Sequence, residues 1–179
     1  MNLHKVSDEV FVANEGIVRL GSDELALLKR QAHDNVRKRA RICAHSRNED
    51  LLHEMVIALA ASTYIHPHKH IGKSESFHII EGLVDIAVLD DTGELVDVVE
   101  LGQPGLSRNF FYRLSESQFH TLLIKTDYLV VHEVTNGPFD PARSVLAPFA
   151  PRESDPKAAA RYMSGLSQKV ARYQTRVKP

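Results

Sequence analysis

One cysteine, Cys43, and no tryptophan occur in the chain. A lone thiol closes no internal disulfide, so the fold must rest on its own core, and the sequence suits a reducing compartment. Long apolar runs are missing too: no stretch approaches the ~20 residues that span a bilayer. The opening "MNLHKVSDEVFVANEG" lacks the cationic-then-apolar order of an export signal. Neither sign of charge is in excess, with 22 Lys and Arg against 23 Asp and Glu. No global field therefore recruits nucleic acid or an anionic membrane. Aromatics make up 7% of the chain, which leaves few rings to interleave with bases. Internal repeats and low-complexity tracts are absent. These absences exclude nucleic-acid and membrane partners and lead us to expect a cytoplasmic protein with small ligands. A chain of this length buries roughly 70% of its unfolded surface, enough for one core in a single domain.

What is present is mostly strand. "MVIALAAS", "FHIIEG", "LVDIAVLD", "LVDVVELG", "FHTLLIK" and "YLVVHEVT" are short β-branched and apolar runs between Leu51 and Thr135. "DDTG" (90–93) is a turn between two of them. Many short strands at regular spacing predict an all-β sandwich or barrel. Before it, Leu25, Leu28, Ala32 and Val36 recur at helical spacing within 21–36, behind an acidic start that suits the positive end of a helix dipole. The basic run "RKRARICAHSRNED" leads into the β body. The five prolines of 136–156 predict irregular, extended chain. Beyond them Ala159, Tyr162, Met163, Leu166, Val170 and Tyr173 form one helical stripe, slightly weakened by Gly165.

The densest chemistry lies in "HPHKHIGKSESFHIIEG" (66–82). On a strand, His66, His68 and His70 share one face. Neighbours two apart are roughly 6.6 Å apart along the strand, close enough for two imidazoles to meet one ion, whereas three span ~13 Å. With metal–nitrogen distances near about 2.1 Å, the geometry permits a pair, 66 with 68 or 68 with 70. Gly72 marks a tight bend that returns Glu75 toward that pair. A carboxylate beside neutral imidazoles suits a divalent first-row metal with open positions.

"HKHIGKSESFHIIEG" resembles the first cupin motif: histidine-x-histidine, four residues, glutamate, six residues, glycine. His68, His70, Glu75 and Gly82 fill those places, and His66 becomes a neighbour at the mouth of the site. "RKRARICAH", "YIHPHKHIGKSESFHIIEG", "DDTGELVDVVELG", "YRL", "HEVTNGPF" and "APFAP" together resemble the WbuC-type cupin-fold metalloproteins, over about Leu25 to Pro151. The resemblance implies a mainly β fold, the cupin double-stranded β-helix (a jelly-roll barrel), with one helix before it and one after. Residues 1–47 would then be a helical and basic segment packed on the barrel, 48–151 the barrel, and 152–179 the C-terminal helix. It also implies a metal in the barrel mouth, an association with surface-polysaccharide biosynthesis, and pairing of barrels through exposed edge strands into a homodimer. The general pattern departs at Ser62, where a glycine is expected. Around the second motif Asn109, Ser115, Ser117 and Ile124 replace glycine, proline, glycine and asparagine. His120 as fourth ligand therefore rests on the narrower resemblance, while His120, Leu122 and Ile124 share one strand face.

The expected centre is one divalent transition metal (Fe, Zn, Mn or Ni) on His68, His70, Glu75 and His120. Arg37, Arg39 and Arg41 with His45 form a cationic run suited to a phosphate or carboxylate; Lys73 lies within reach of the mouth or snorkels to water. Arg39, Arg41, His45 and Lys73 are thus the expected substrate contacts. His132 and Glu133 are adjacent on a strand, so only one faces inward; the plain reading makes both ordinary strand residues, the chemical one an acid or base. Tyr64 and Tyr112 read as packed rings and Cys43 as a buried apolar group. The functional expectation is an enzyme acting on a small anionic molecule, a sugar or sugar nucleotide. A non-catalytic sensing module and an iron-dependent dioxygenase are the alternatives, because the fold hosts many chemistries.

Overall fold

The computed structural model describes residues 2–177. Strands β1 (Leu3–Lys5) and β2 (Val10–Ala13) precede helix α1 (Ser22–Asp34) and strand β3 (Arg39–Cys43). The body follows as β4 (Leu52–Ala60), β5 (His68–His70), β6 (Glu75–Glu81), β7 (Leu83–Leu89), β8 (Leu95–Gly102), β9 (Phe111–Leu114), β10 (Phe119–Ile124) and β11 (Tyr128–Asn136). A short β12 (Ser144–Leu146) and helix α2 (Pro156–Val177) come last. One sheet runs β1-β2-β3-β4-β11-β6-β9 and the other β12-β5-β10-β7-β8, so neighbours in space are distant in sequence. The two facing sheets make a double-stranded β-helix, a jelly-roll barrel, with the expected two helices.

Alternation along the strands explains the layering. On β11, Leu129 and Val131 face the other sheet while Val130 faces α1; on β10, Leu122 faces inward and Leu123 faces α2. The inner core joins Leu59, Phe77 and Ile79 of one sheet to Val84, Ile86 and Leu101 of the other. Leu28 and Ala32 of α1 close the outside of the first sheet; Leu166 and Val170 of α2 close the outside of the second. Both faces of each sheet are therefore apolar along much of their length, which is why the central strands read as near-continuous hydrophobic runs.

The helix ends follow local rules. Glu24 Oε2 accepts from the Gly21 N–H at 2.8 Å at the start of α1. Asp155 accepts from the Ala158 N–H at 2.9 Å, with Pro156 as the first residue of α2. Residues 1–47 hold more strand than expected: β1 and β2 extend the larger sheet, β2 lying parallel to β3. The proline-rich stretch is likewise not wholly irregular, since β12 pairs with β5 and sets Ser144 opposite His70. No described helix is long and apolar enough to cross a membrane.

Gly82, the motif's glycine, joins β6 to β7 at φ +93°. A Cβ there would press into the Tyr128 carbonyl oxygen and lie 2.6 Å from Thr126 Oγ1. Both obstacles are fixed, the first by backbone and the second by hydrogen bonds to the Leu83 N–H and the Tyr128 carbonyl. Gly82→Ala should therefore lower stability by about 2–4 kcal/mol, combining strain with overpacking. The urea midpoint measures this, and an unchanged midpoint would show that the loop can move aside.

Candidate metal centre

Three strands meet at one end of the barrel. β5 carries His68 and His70, β6 begins with Glu75, and β10 carries His120 directly opposite His68. Gly72, at φ +64°, turns the chain between the second histidine and the glutamate. Ligand atoms from all four side chains lie within 4.8 Å of one another. Donors at about 2.1 Å from a common ion are separated by roughly 3–4 Å, so the cluster has the right dimensions.

Each imidazole is already oriented. His68 Nδ1 donates to the His66 carbonyl at 2.9 Å and His120 Nδ1 to the Gln118 carbonyl at 3.1 Å. Because a carbonyl only accepts, Nδ1 carries the hydrogen in both rings and Nε2 is the basic nitrogen. His70 Nδ1 is 3.1 Å from Ser144 Oγ. Glu75 Oε2 accepts from His70 Nε2 at 3.1 Å, whereas Oε1, 3.3 Å from His120 Nε2, is buried without a hydrogen bond. A buried carboxylate oxygen left short of partners among imidazoles with a free nitrogen is a donor set fitted to a divalent cation.

The electrostatics fit as well. Burial works to raise the Glu75 pKa, but His120, His70 and His68 outweigh it and hold the carboxyl well below its usual range. Burial opposes a charged His120, yet Glu75 wins and raises it. Burial, then the neighbouring His120, pushes His68 down to about 4. At neutral pH the cluster therefore holds an ionised carboxylate and, at His68, a neutral imidazole, the protonation states that ligate metal.

His66 stands outside the cluster. Its ring is buried and its Nε2 donates to the Ala147 carbonyl at 3.0 Å. β5 begins only at His68, so the three histidines do not share one strand.

The cluster opens on a cavity of about 310 Å³. Ile57, Ile65, Phe77 and Leu122 make it apolar inside, and Arg37, Arg39, Arg41, Glu9 and Glu153 stand around it. The cationic run is divided by the fold. Glu153 pairs with Arg37 at 3.0 Å and Arg39 at 3.1 Å, and Glu9 pairs with Arg37 at 3.1 Å. Among the described residues Arg41 enters no such ion pair. His45 and Lys73 line a second, adjoining cavity of about 530 Å³. Arg41, His70, Glu133 and Ser144 line both cavities. Lys73 does not snorkel: it is buried and donates to the Pro138 carbonyl at 3.1 Å.

Glu133 corrects the plain sequence reading. It continues the inward series Leu129, Val131 on β11, and His132 takes the outer face beside Glu54. It touches cavity on two sides but is otherwise enclosed by protein; burial, then repulsion from Glu75, pushes its pKa up to about 8, against the opposing pull of Arg41 and His120. A titratable residue at the next position of an apolar alternation was the available signal. Tyr112 packs on Phe77, Tyr64 donates to the Pro151 carbonyl at 2.7 Å, and burial pushes the Cys43 thiol up.

Among known families, a model described as a domain of unknown function (DUF6016) matches residues 20–101. No curated protein matches the chain by sequence. Protein SO0799 from Shewanella oneidensis has a similar structure, at 12% identity over 74% of this chain and 86% of that one, with a TM-score of 0.55. Bacillus subtilis oxalate decarboxylase matches at 14% identity over 54% of this chain, with a TM-score of 0.43. The chain spans about a quarter of that enzyme's length (24%). Brassica napus procruciferin, an 11S globulin, matches at 10% identity over 49% of this chain and 21% of its own, with a TM-score of 0.40. The first of these likenesses bears on the fold.

Proposed function

We propose that this chain is a cupin metalloenzyme of the WbuC type that holds one divalent transition metal on His68, His70, Glu75 and His120 and acts on a small anionic sugar derivative. One observation carries the reading: four ligand atoms from three strands converge, with the far nitrogen of each imidazole engaged by an oxygen. Such an ion, with four protein ligands and positions to spare, supplies Lewis acidity to a carbonyl or hydroxyl. Iron, zinc, manganese and nickel all suit the set, and availability decides among them.

The chain's own groups do the rest. Ile57, Phe77 and Leu122 give the inner cavity an apolar wall against which a substrate packs. Glu133, on the boundary between the two cavities, carries a proton near neutrality and gives or takes it at the substrate. Arg41 faces the same boundary and supplies positive charge there. The link to surface-polysaccharide biosynthesis in the cytoplasm rests on the ordered sequence strings alone.

Elemental analysis of the purified protein tests the centre. His68→Ala and His120→Ala should lose the metal, while His66→Ala, whose ring bonds to the Ala147 carbonyl, should retain it. Equal metal content in all three would refute the assignment.

The homodimer belongs to the same proposal. β9 is the last strand of the larger sheet, and Ile80, Phe110 and Phe111 beside it are exposed. Phe111→Lys should convert a dimer to a monomer in light scattering at micromolar concentration; a wild-type protein already monomeric there would refute it.

A further inference from the structure

The second cavity differs in kind from the first. It is larger, and its lining includes Arg41, Arg47 and Lys73 against one carboxylate, Glu133. Arg47 is half committed, pairing with Asp50 at 3.4 Å at an exposed position. Arg41 interacts with Cys43 and Glu133 and, among the described residues, enters no ion pair. Lys73 is the more telling group. Its side chain is largely covered and its ammonium faces the cavity with one carbonyl, that of Pro138, as hydrogen-bond partner among the described residues; the nearby carboxylate, Asp140, is paired with Arg143 at 3.6 Å. An ammonium held by one carbonyl and facing a cavity has hydrogens left to donate to an anion there.

Resting on the proposed metal centre, the geometry points to a second chamber that binds the phosphate group of a phosphorylated substrate between Arg41 and Lys73. The choice of phosphate follows from charge. Two cations that enter no ion pair among the described residues match a dianion, whereas a carboxylate would satisfy one of them. His45 Nδ1 lies 3.1 Å from the Glu54 carbonyl and 3.2 Å from the Glu54 nitrogen, so the backbone fixes the ring at the wall of the chamber, and burial lowers its pKa. The cavity, at about 530 Å³, has room for more than the phosphate. Because Arg41, His70, Glu133 and Ser144 belong to both chambers, a ligand anchored here extends past Glu133 toward the metal ligands. Arg39, bound by Glu153 and at 3.7 Å from Glu9, is left with a structural role.

Calorimetric titration of inorganic phosphate into the metal-loaded protein near neutral pH tests this, with acetate run separately at matched ionic strength. One phosphate should bind per chain, more tightly than acetate. Arg41→Met and Lys73→Met should each weaken it by on the order of tenfold, while Lys169→Met, a surface change on α2, should leave it unaltered. Arg41 is exposed, so its variant keeps the test decisive if Lys73→Met fails to fold. Absence of phosphate binding, indifference to both variants, or acetate binding as tight as phosphate would each overturn the assignment. Metal content is measured on the same samples. Protein that loads metal but ignores phosphate loses only the second chamber; protein that takes phosphate at Arg41 and Lys73 without loading metal loses only the first.

Discussion

Glu75→Gln should weaken divalent-metal affinity by on the order of a thousandfold, a loss comparable to that from removing a ligating histidine. The amide keeps the shape of the side chain but brings no charge, and its nitrogen cannot ligate. Wild-type Glu75 presents one oxygen bonded to His70 and one without a hydrogen bond, both buried. Competition against a chelator of known affinity measures the effect. Retention of wild-type affinity would mean that the carboxylate serves only to orient His70 and His120.

The same variant should alter acid stability even without metal. Glu75 has a folded pKa below its unfolded value, so its contribution is present above the ordinary carboxylate range and disappears as pH falls through the folded value. His120 is shifted the other way: its contribution is complete below the ordinary histidine range and fades as pH rises through its raised folded pKa. The pair is therefore strongest in mildly acidic solution, and Glu75→Gln should flatten the stability profile there. Metal and proton compete for His120 Nε2, so loading replaces one stabilising partner of Glu75 with a stronger one.

Much of this site was legible before folding was considered. The cupin motif names His68, His70, Glu75 and Gly82 in order, and the structure brings the first three together with His120. Spacing by itself left two histidine pairs open. What decides between them is a tertiary fact, the Ala147 carbonyl that takes His66 and the short β12 that fixes β5 from His68 onward. β12 was invisible because three exposed residues between prolines carry no periodicity of their own. β1 and β2 escaped for a related reason, since strands this short depend on their partner. The arginine run illustrates the opposite difficulty. The sequence presents Arg37, Arg39 and Arg41 as one cationic run, but Glu9 and Glu153, which occupy Arg37 and Arg39, come from 28 and 114 or more residues away. For Lys73 the sequence leaves substrate contact and solvent both open, and only the fold of 138–143 shows its ammonium held at the Pro138 carbonyl.

Glu133→Gln should stabilise the metal-free protein in alkaline solution while removing the proton carrier of the proposed reaction. The folded pKa of Glu133 is raised from 4.5 to about 8. Its favourable contribution is thus complete below pH 4.5 and is lost as pH rises through about 8, where the fold must bury a charge beside Glu75. Glutamine carries no charge at any pH. Chelator-treated wild type and variant should unfold at similar urea concentrations near pH 4.5 and diverge toward about pH 9, with the variant more stable by roughly 1–3 kcal/mol. A divalent ion on the neighbouring cluster attracts the ionised carboxylate, so loading should narrow that gap. Glu75→Gln should narrow it too, because Glu75 supplies the repulsion, and the double variant should show less than the sum of the two single effects. Parallel wild-type and Glu133→Gln profiles across the whole range would mean that Glu133 ionises as freely as a surface carboxylate, and its place as the proton carrier between the two chambers would be lost.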